Sequence, residues 1–116
     1  MKIVKVISVL FLIMTSSSIS AAIWSGGTEV LEIYPHTNNN VDGTIYFRFG
    51  KMVNPSNCQR SDMIALKKSN KVSSELYSLI LTAFTTGKRV NYYVETCDQH
   101  GYPELIHAKV SKLPVI

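Results

Sequence analysis

The sequence predicts one small domain that is mainly β, with five strands, one helix and the order βββαββ. Short segments rich in β-branched and aromatic residues alternate with stretches rich in Pro, Gly and Asn, which is typical of strands and turns. Only one stretch has the apolar spacing of a helix. The chain has 116 residues, 46% hydrophobic and 17% charged. This length excludes a multidomain enzyme, a doubly wound nucleotide-binding fold and a barrel of eight strand–helix units.

The first 22 residues have the pattern of a secretory signal peptide. Lys2 and Lys5 give a positive start, residues 7–14 form an apolar run, and Ser20 and Ala22 are small residues suited to cleavage after Ala22. The run is too short to cross a bilayer of about 30 Å, which needs roughly 20 apolar residues. We therefore predict cleavage, a domain over 23–116, no membrane insertion, and a secreted or periplasmic location.

Cleavage also changes the charge. The whole chain has 12 basic and 8 acidic residues; without Lys2 and Lys5 ten basic residues remain, and the net charge falls from +4 to +2. The basic residues are scattered, apart from a cluster at Lys67, Lys68 and Lys71. The small net charge and the scattered basic residues argue against a nucleic-acid partner.

Three strands are predicted before the helix. Residues 29–34 combine apolar Val30 and Ile33 with polar neighbours, and the segment ends at a Pro-, Asn- and Gly-containing loop. The second strand, over 44–49, is rich in β-branched and aromatic residues. A polar loop with Pro55 leads to a short third strand over 63–66.

The helix is predicted from its apolar spacing. Five apolar residues fall at i, i+3, i+4, i+7 and i+8: Leu76, Leu79, Ile80, Ala83 and Phe84. Ser73 or Ser74 is expected to cap its start, and Gly87 is expected to end it in the left-handed conformation.

Two further strands are predicted over 90–96 and 105–110. Three strands, a helix between the third and fourth, and two strands is the order of the OB-fold, a partly open five-stranded β-barrel that binds oligosaccharides or oligonucleotides. A small α+β sandwich with the same order is the alternative.

Cys58 and Cys97 are the only cysteines, and both lie after the signal segment. In an oxidising compartment they are expected to form one disulfide that closes a loop of about 40 residues, worth about 4 kcal/mol in the chain-entropy model. Two cysteines without a nearby histidine pair do not make a zinc site. We expect no metal and no cofactor.

Several short motifs resemble a known group of proteins. They are Trp24-Ser-Gly26, Tyr46-Phe47, Gly50-Lys51, Phe84-Thr-Thr-Gly87 and Tyr92-Tyr93. Their order resembles the B subunits of subtilase cytotoxin and of typhoid- and pertussis-like toxins, and related small secreted bacterial OB-fold proteins. The resemblance implies an OB-fold, a host glycan as ligand, a homopentamer and an exported enzymatic A subunit. Arg48 stands where those toxin subunits carry a cysteine.

Candidate glycan-binding residues follow from the aromatic content. Asn91, Tyr93 and Glu95 alternate along the fourth strand and share its outer face, and Arg48 lies on the second strand. Sugar sites combine an aromatic face with polar groups that fix the hydroxyls. Trp24 is expected to be a packing residue.

On the helix, Tyr77 and Leu81 flank the main apolar face and are candidates for contacts between subunits.

Two other functions are compatible with the sequence. The domain could act alone, as a monomeric secreted or periplasmic binding or inhibitory module. It could instead be a small ribonuclease-like hydrolase that uses His36 and His100 with a lysine. No nucleophile elbow or phosphate-binding glycine loop is present in the sequence, and we expect a binding protein rather than an enzyme.

Overall fold

A computed structural model describes residues 22–37 and 43–113. The predicted signal segment therefore lies outside the described residues, apart from Ala22. The described chain is mainly β, with six strands and one helix: β1 (Ile23–Trp24), β2 (Val30–His36), β3 (Thr44–Phe49), β4 (Ile64–Lys67), α1 (Ser73–Thr86), β5 (Asn91–Cys97) and β6 (Pro103–Lys109).

The strands form one mixed sheet in the order β1-β5-β6-β4-β3-β2. All neighbours are antiparallel except β4 and β6, which are parallel. The prediction of a five-stranded β-barrel of the OB-fold type is wrong in two details. The two-residue strand β1 adds a sixth strand, and the sheet does not close into a barrel, because β1 and β2 form its two edges and are not paired with each other.

A bend in one continuous segment separates these two edges. Gly26 has a φ of +79°, a left-handed conformation that glycine adopts without strain. Before the bend the chain pairs with β5, where the Ser25 amide donates to the Tyr92 carbonyl at 2.7 Å. After it the chain pairs with β3, where the Gly50 amide donates to the Glu29 carbonyl at 2.9 Å. The bend thus separates β1, which was not predicted, from β2, which corresponds to the predicted first strand over 29–34.

The apolar spacing of β2 is explained by a β-bulge. Val30 pairs with Phe49, Glu32 pairs with Arg48, and the register shifts between these two pairs. An extra residue in one strand reverses which face the following side chains occupy. Val30 and Ile33, three residues apart, therefore both pack against the core, while Leu31 is 53% exposed.

The helix confirms the predicted apolar face only in part. Leu76, Ile80 and Ala83 are buried, but Phe84 is 45% exposed. Neither serine caps the start: the N-cap is Val72, without a side-chain hydrogen bond. Gly87 ends the helix with a φ of +71°, as predicted.

The core is built around Tyr92, whose side chain is fully buried. Its ring stacks on Phe49 with centroids 4.1 Å apart. Its hydroxyl donates to the Lys51 carbonyl at 2.7 Å and accepts from the Val53 amide at 3.1 Å. Burial raises the pKa of this hydroxyl to about 12. Tyr92 thus ties the chain after β3 to the beginning of β5.

The predicted disulfide between Cys58 and Cys97 is confirmed. It holds the loop after β3 against the end of β5. Asn54 orders the same loop: its side chain accepts from the Cys58 amide and donates to the Cys58 carbonyl. The turn between β5 and β6 is joined to this loop by the Arg60 amide, which donates to the Gly101 carbonyl at 2.9 Å.

We predict that Tyr92→Phe lowers the free energy of unfolding by about 2 kcal/mol at pH 7, because the Lys51 carbonyl and the Val53 amide, both in part-buried hydrogen bonds, lose their partner. The raised pKa means that the unfolded chain ionises this phenol first, from its ordinary value of 10. The stabilising contribution is therefore present below pH 10 and is lost as the pH rises towards 12. Denaturant unfolding at pH 7 and pH 11 measures both effects.

The control is Tyr77→Phe, which removes a hydroxyl from a half-buried tyrosine outside this contact. A wild-type advantage over Tyr92→Phe that stays constant between pH 7 and pH 11 would contradict the assignment.

Candidate functional site

Three aromatic side chains form a row across the outer face of β1, β5 and β6. Trp24 pairs with Tyr93, and Tyr93 pairs with His107, so the three residues are in register on adjacent strands. We call Trp24, Tyr93 and His107 the outer aromatic row. The three residues are brought together only by strand pairing.

The rings of this row touch one another and keep part of their surface in solvent. The centroids of Trp24 and Tyr93 are 5.2 Å apart, and those of Tyr93 and His107 are 5.4 Å apart. Trp24 is 41% exposed. Trp24, expected to be a packing residue, packs on Tyr93 and also presents an open surface.

Charged groups contact the middle and one end of the row. The Tyr93 hydroxyl donates to Glu95 Oε1 at 3.4 Å. The pKa of Tyr93 is raised, mainly by loss of hydration and further by the Glu95 carboxylate. Lys109 Nζ lies 4.6 Å from the centroid of the Trp24 ring, a cation–π contact. The row thus combines an aromatic surface with an acceptor and a donor.

A second bulge places His107 in the row. Tyr93 pairs with His107, but the next residue, Val94, pairs with Leu105. The additional residue on β6, Ile106, turns His107 to the outer face although Leu105, two positions away, is fully buried. A regular alternation would have put both on the same face.

The structure brings together only two of the four residues predicted to bind a glycan. Tyr93 and Glu95 are in contact and belong to the row. Asn91 shares their strand, but it is only 7% exposed, and its Oδ1 accepts from the Gly26 amide at 3.0 Å. Arg48 lies on β3, separated from β5 by β6 and β4, where it faces Glu32 with 3.8 Å between Nε and Oε2. Asn91 thus supports the bend, and Arg48 belongs to another surface.

The predicted contact residues lie on α1. Tyr77 is half-buried against the core, whereas Leu81 is 37% exposed. Phe84, one turn further on, adds to the exposed apolar surface of the helix.

The two histidines considered for hydrolysis lie in different surroundings. His36 Nδ1 is 3.1 Å from the Tyr34 hydroxyl, and His100 is in contact with Gln99. Within residues 22–37 and 43–113 the two histidines share no hydrogen bond or ring contact, and no group of three or more His, Cys, Asp or Glu side chains is placed to hold a metal ion. In the same ranges, no helix is both long and apolar enough to cross a membrane.

Comparisons with protein-family models, with curated proteins and with solved structures gave no match to this chain.

We predict that Asn91→Ala loosens β1, because the Gly26 amide loses its acceptor at a cost of about 1–2 kcal/mol. Trp24 is the single tryptophan of the chain, so its fluorescence reports on β1 directly. Quenching of Trp24 by acrylamide should increase in this variant. Thr96→Ala, an exposed position on the same strand, is the control, and equal quenching in the two variants would contradict the role of Asn91.

Proposed function

We propose that this protein is a non-enzymatic carbohydrate-binding module and that the outer aromatic row is its ligand surface. The observation that carries the proposal is the register of Trp24, Tyr93 and His107 on three adjacent strands. A series of partly exposed rings with polar groups beside it suits a pyranose ring, whose C–H face is apolar and whose edge carries hydroxyls.

Each polar group has a part in this binding. The Glu95 carboxylate accepts hydrogen bonds from sugar hydroxyls next to Tyr93. Lys109 is a long and flexible side chain at an exposed position. A sugar ring that stacks on Trp24 displaces the Lys109 ammonium from the ring face and gains it as a hydrogen-bond donor. The imidazole ring of His107 forms part of the same surface.

The strand order supports the proposal that the sheet is a variant of the OB-fold. β2, β3 and β4 follow one another, β6 lies beside β4, and β5 lies beside β6. The segment before β2 then pairs with β5. This is the neighbour relation of an OB-fold whose first strand is broken at Gly26, and proteins of that fold bind oligosaccharides.

The disulfide supports the proposal of a secreted or periplasmic location, since such bonds persist in oxidising compartments.

The test is a titration of the oxidised protein with a panel of oligosaccharides, in which binding is monitored by Trp24 fluorescence. We expect a bound glycan to shift or quench the emission. Tyr93→Ala should weaken binding about tenfold, because loss of a stacked aromatic ring at a binding site costs at least about 1.4 kcal/mol.

The control is Leu31→Ala, which removes an exposed apolar side chain from β2, at the other edge of the sheet. A panel that leaves Trp24 emission unchanged would contradict the proposal. Equal losses in the two variants would place the ligand elsewhere.

The resemblance to toxin B subunits extends the proposal to a homopentamer that carries an exported enzymatic subunit. Leu81 and Phe84 give α1 an exposed apolar surface that a ring of five would cover. We expect light scattering after size exclusion to give the mass of five protomers, and Leu81→Asp to give a monomer while Thr85→Asp does not. A wild-type monomer at micromolar concentration would leave the stand-alone binding domain.

A further inference from the structure

A second aromatic surface lies at the other end of the sheet. Tyr34 on β2 and Tyr46 on β3 are cross-strand partners, with ring centroids 6.1 Å apart. Tyr102, in the turn before β6, lies on the far side of Tyr46, with centroids 5.0 Å apart. We call Tyr34, Tyr46 and Tyr102 the tyrosine platform. Tyr46 is its floor, at 8% exposure, and Tyr34 is its open side, at 48%.

A small residue makes this platform continuous. Tyr46 pairs with Ala65 on β4, and Ala65 is fully buried. Because the alanine side chain is short, Tyr102 reaches across β4 and closes over it onto the Tyr46 ring. A larger side chain at this position would hold the two rings apart.

Among the described residues, one guanidinium beside the platform, that of Arg60, has no carboxylate within ion-pair distance. Arg48 and Lys67, on the same face of the sheet, are each close to a carboxylate, at 3.8 Å and 3.6 Å. Arg60 makes no ion pair within residues 22–37 and 43–113. Its side chain is held by a hydrogen bond from Nη1 to the Tyr102 hydroxyl at 3.1 Å and by a cation–π contact, with Cζ 5.4 Å from the centroid of the Tyr102 ring. Among the described residues its other N–H groups make no hydrogen bond, so they can bind a ligand.

The backbone of Arg60 is anchored before any ligand binds. The Cys58–Cys97 disulfide lies two residues away, and the Arg60 amide donates to the Gly101 carbonyl. The buried carboxylate of Asp98 accepts from the Tyr102 amide at 2.8 Å. Both Arg60 and Tyr102 are therefore anchored through their backbone, which lowers the entropy lost on binding.

We propose that the tyrosine platform and Arg60 form a second saccharide site, selective for a sugar that carries a carboxylate, such as a hexuronate. The pyranose ring lies against Tyr34 and Tyr102, and the carboxylate pairs with the guanidinium of Arg60. A planar guanidinium with free N–H groups matches a carboxylate in geometry and charge. This site depends on the proposed function only for its ligand class, since it shares no residue with the outer aromatic row.

The probe is an oligogalacturonate, with its methyl ester as the neutral match, titrated into the oxidised protein by calorimetry. We expect the acid to bind at least about tenfold more tightly than the ester, because a charge-assisted hydrogen bond is lost in the ester. Arg60→Gln should weaken binding of the acid by a similar factor and leave the ester unaffected. Tyr34→Ala should weaken both.

Two controls separate this site from the rest of the surface. Arg89→Gln removes the same charge from an exposed position after α1 and should leave the affinity unchanged. Trp24 emission, which reports on the outer aromatic row, should not follow the calorimetric titration. Equal binding of acid and ester, an unaffected Arg60→Gln variant, no binding at all, or a Trp24 response with the same affinity would overturn the second site.

Failure here is distinguishable from failure of the proposed function. Oligosaccharides that change Trp24 emission would still support the outer aromatic row if the oligogalacturonate does not bind. Conversely, a calorimetric signal that Arg60→Gln removes would support the second site even if Trp24 responds to no glycan.

Discussion

The architecture depends on a single constraint, which is that one segment of the chain supplies both edges of the sheet. The segment is divided at Gly26 and is held there by backbone and side-chain hydrogen bonds to β5. Ser25 is almost fully buried; its amide donates to the Tyr92 carbonyl, and its hydroxyl accepts from the Tyr92 amide at 3.0 Å. Beyond the bend, the amide and carbonyl of Thr28 both bond to Val90. Without these contacts, a two-residue strand would not persist, and Trp24 would have no fixed place.

Much of the fold could be predicted from local patterns in the sequence. The strand over 44–49 was predicted with its observed bounds, and the helix, its end at Gly87 and the disulfide are also confirmed. The bend at Gly26 could not be predicted, because only two residues form β1 and so short a segment has no periodicity. The bulge in β2 is indicated by the sequence, since Val30 and Ile33 are three residues apart, which does not fit the two-residue period of a regular strand.

The site was less accessible to sequence reasoning, because its residues meet only through strand pairing. Alternation along β5 correctly put Tyr93 and Glu95 on one face. It also put Asn91 there, although the returning chain at Gly26 covers that side chain. The outward orientation of His107 could not be predicted, since it depends on a bulge in β6 that no local residue pattern indicates. Contacts between residues this far apart in sequence are set by register, which only the assembled sheet determines.

The two aromatic surfaces also explain how a domain with a thin core can present so many rings to solvent. Tyr46 covers Ala65, and Trp24 packs against Tyr93, so these aromatic side chains bury apolar surface on the outer side of the sheet as well. Cross-strand aromatic pairs of this kind stabilise adjacent strands. Folding therefore fixes the rings in place without a ligand, so that little side-chain entropy remains to be lost when a ligand binds. Stability and preorganisation for binding have the same physical origin in this sheet.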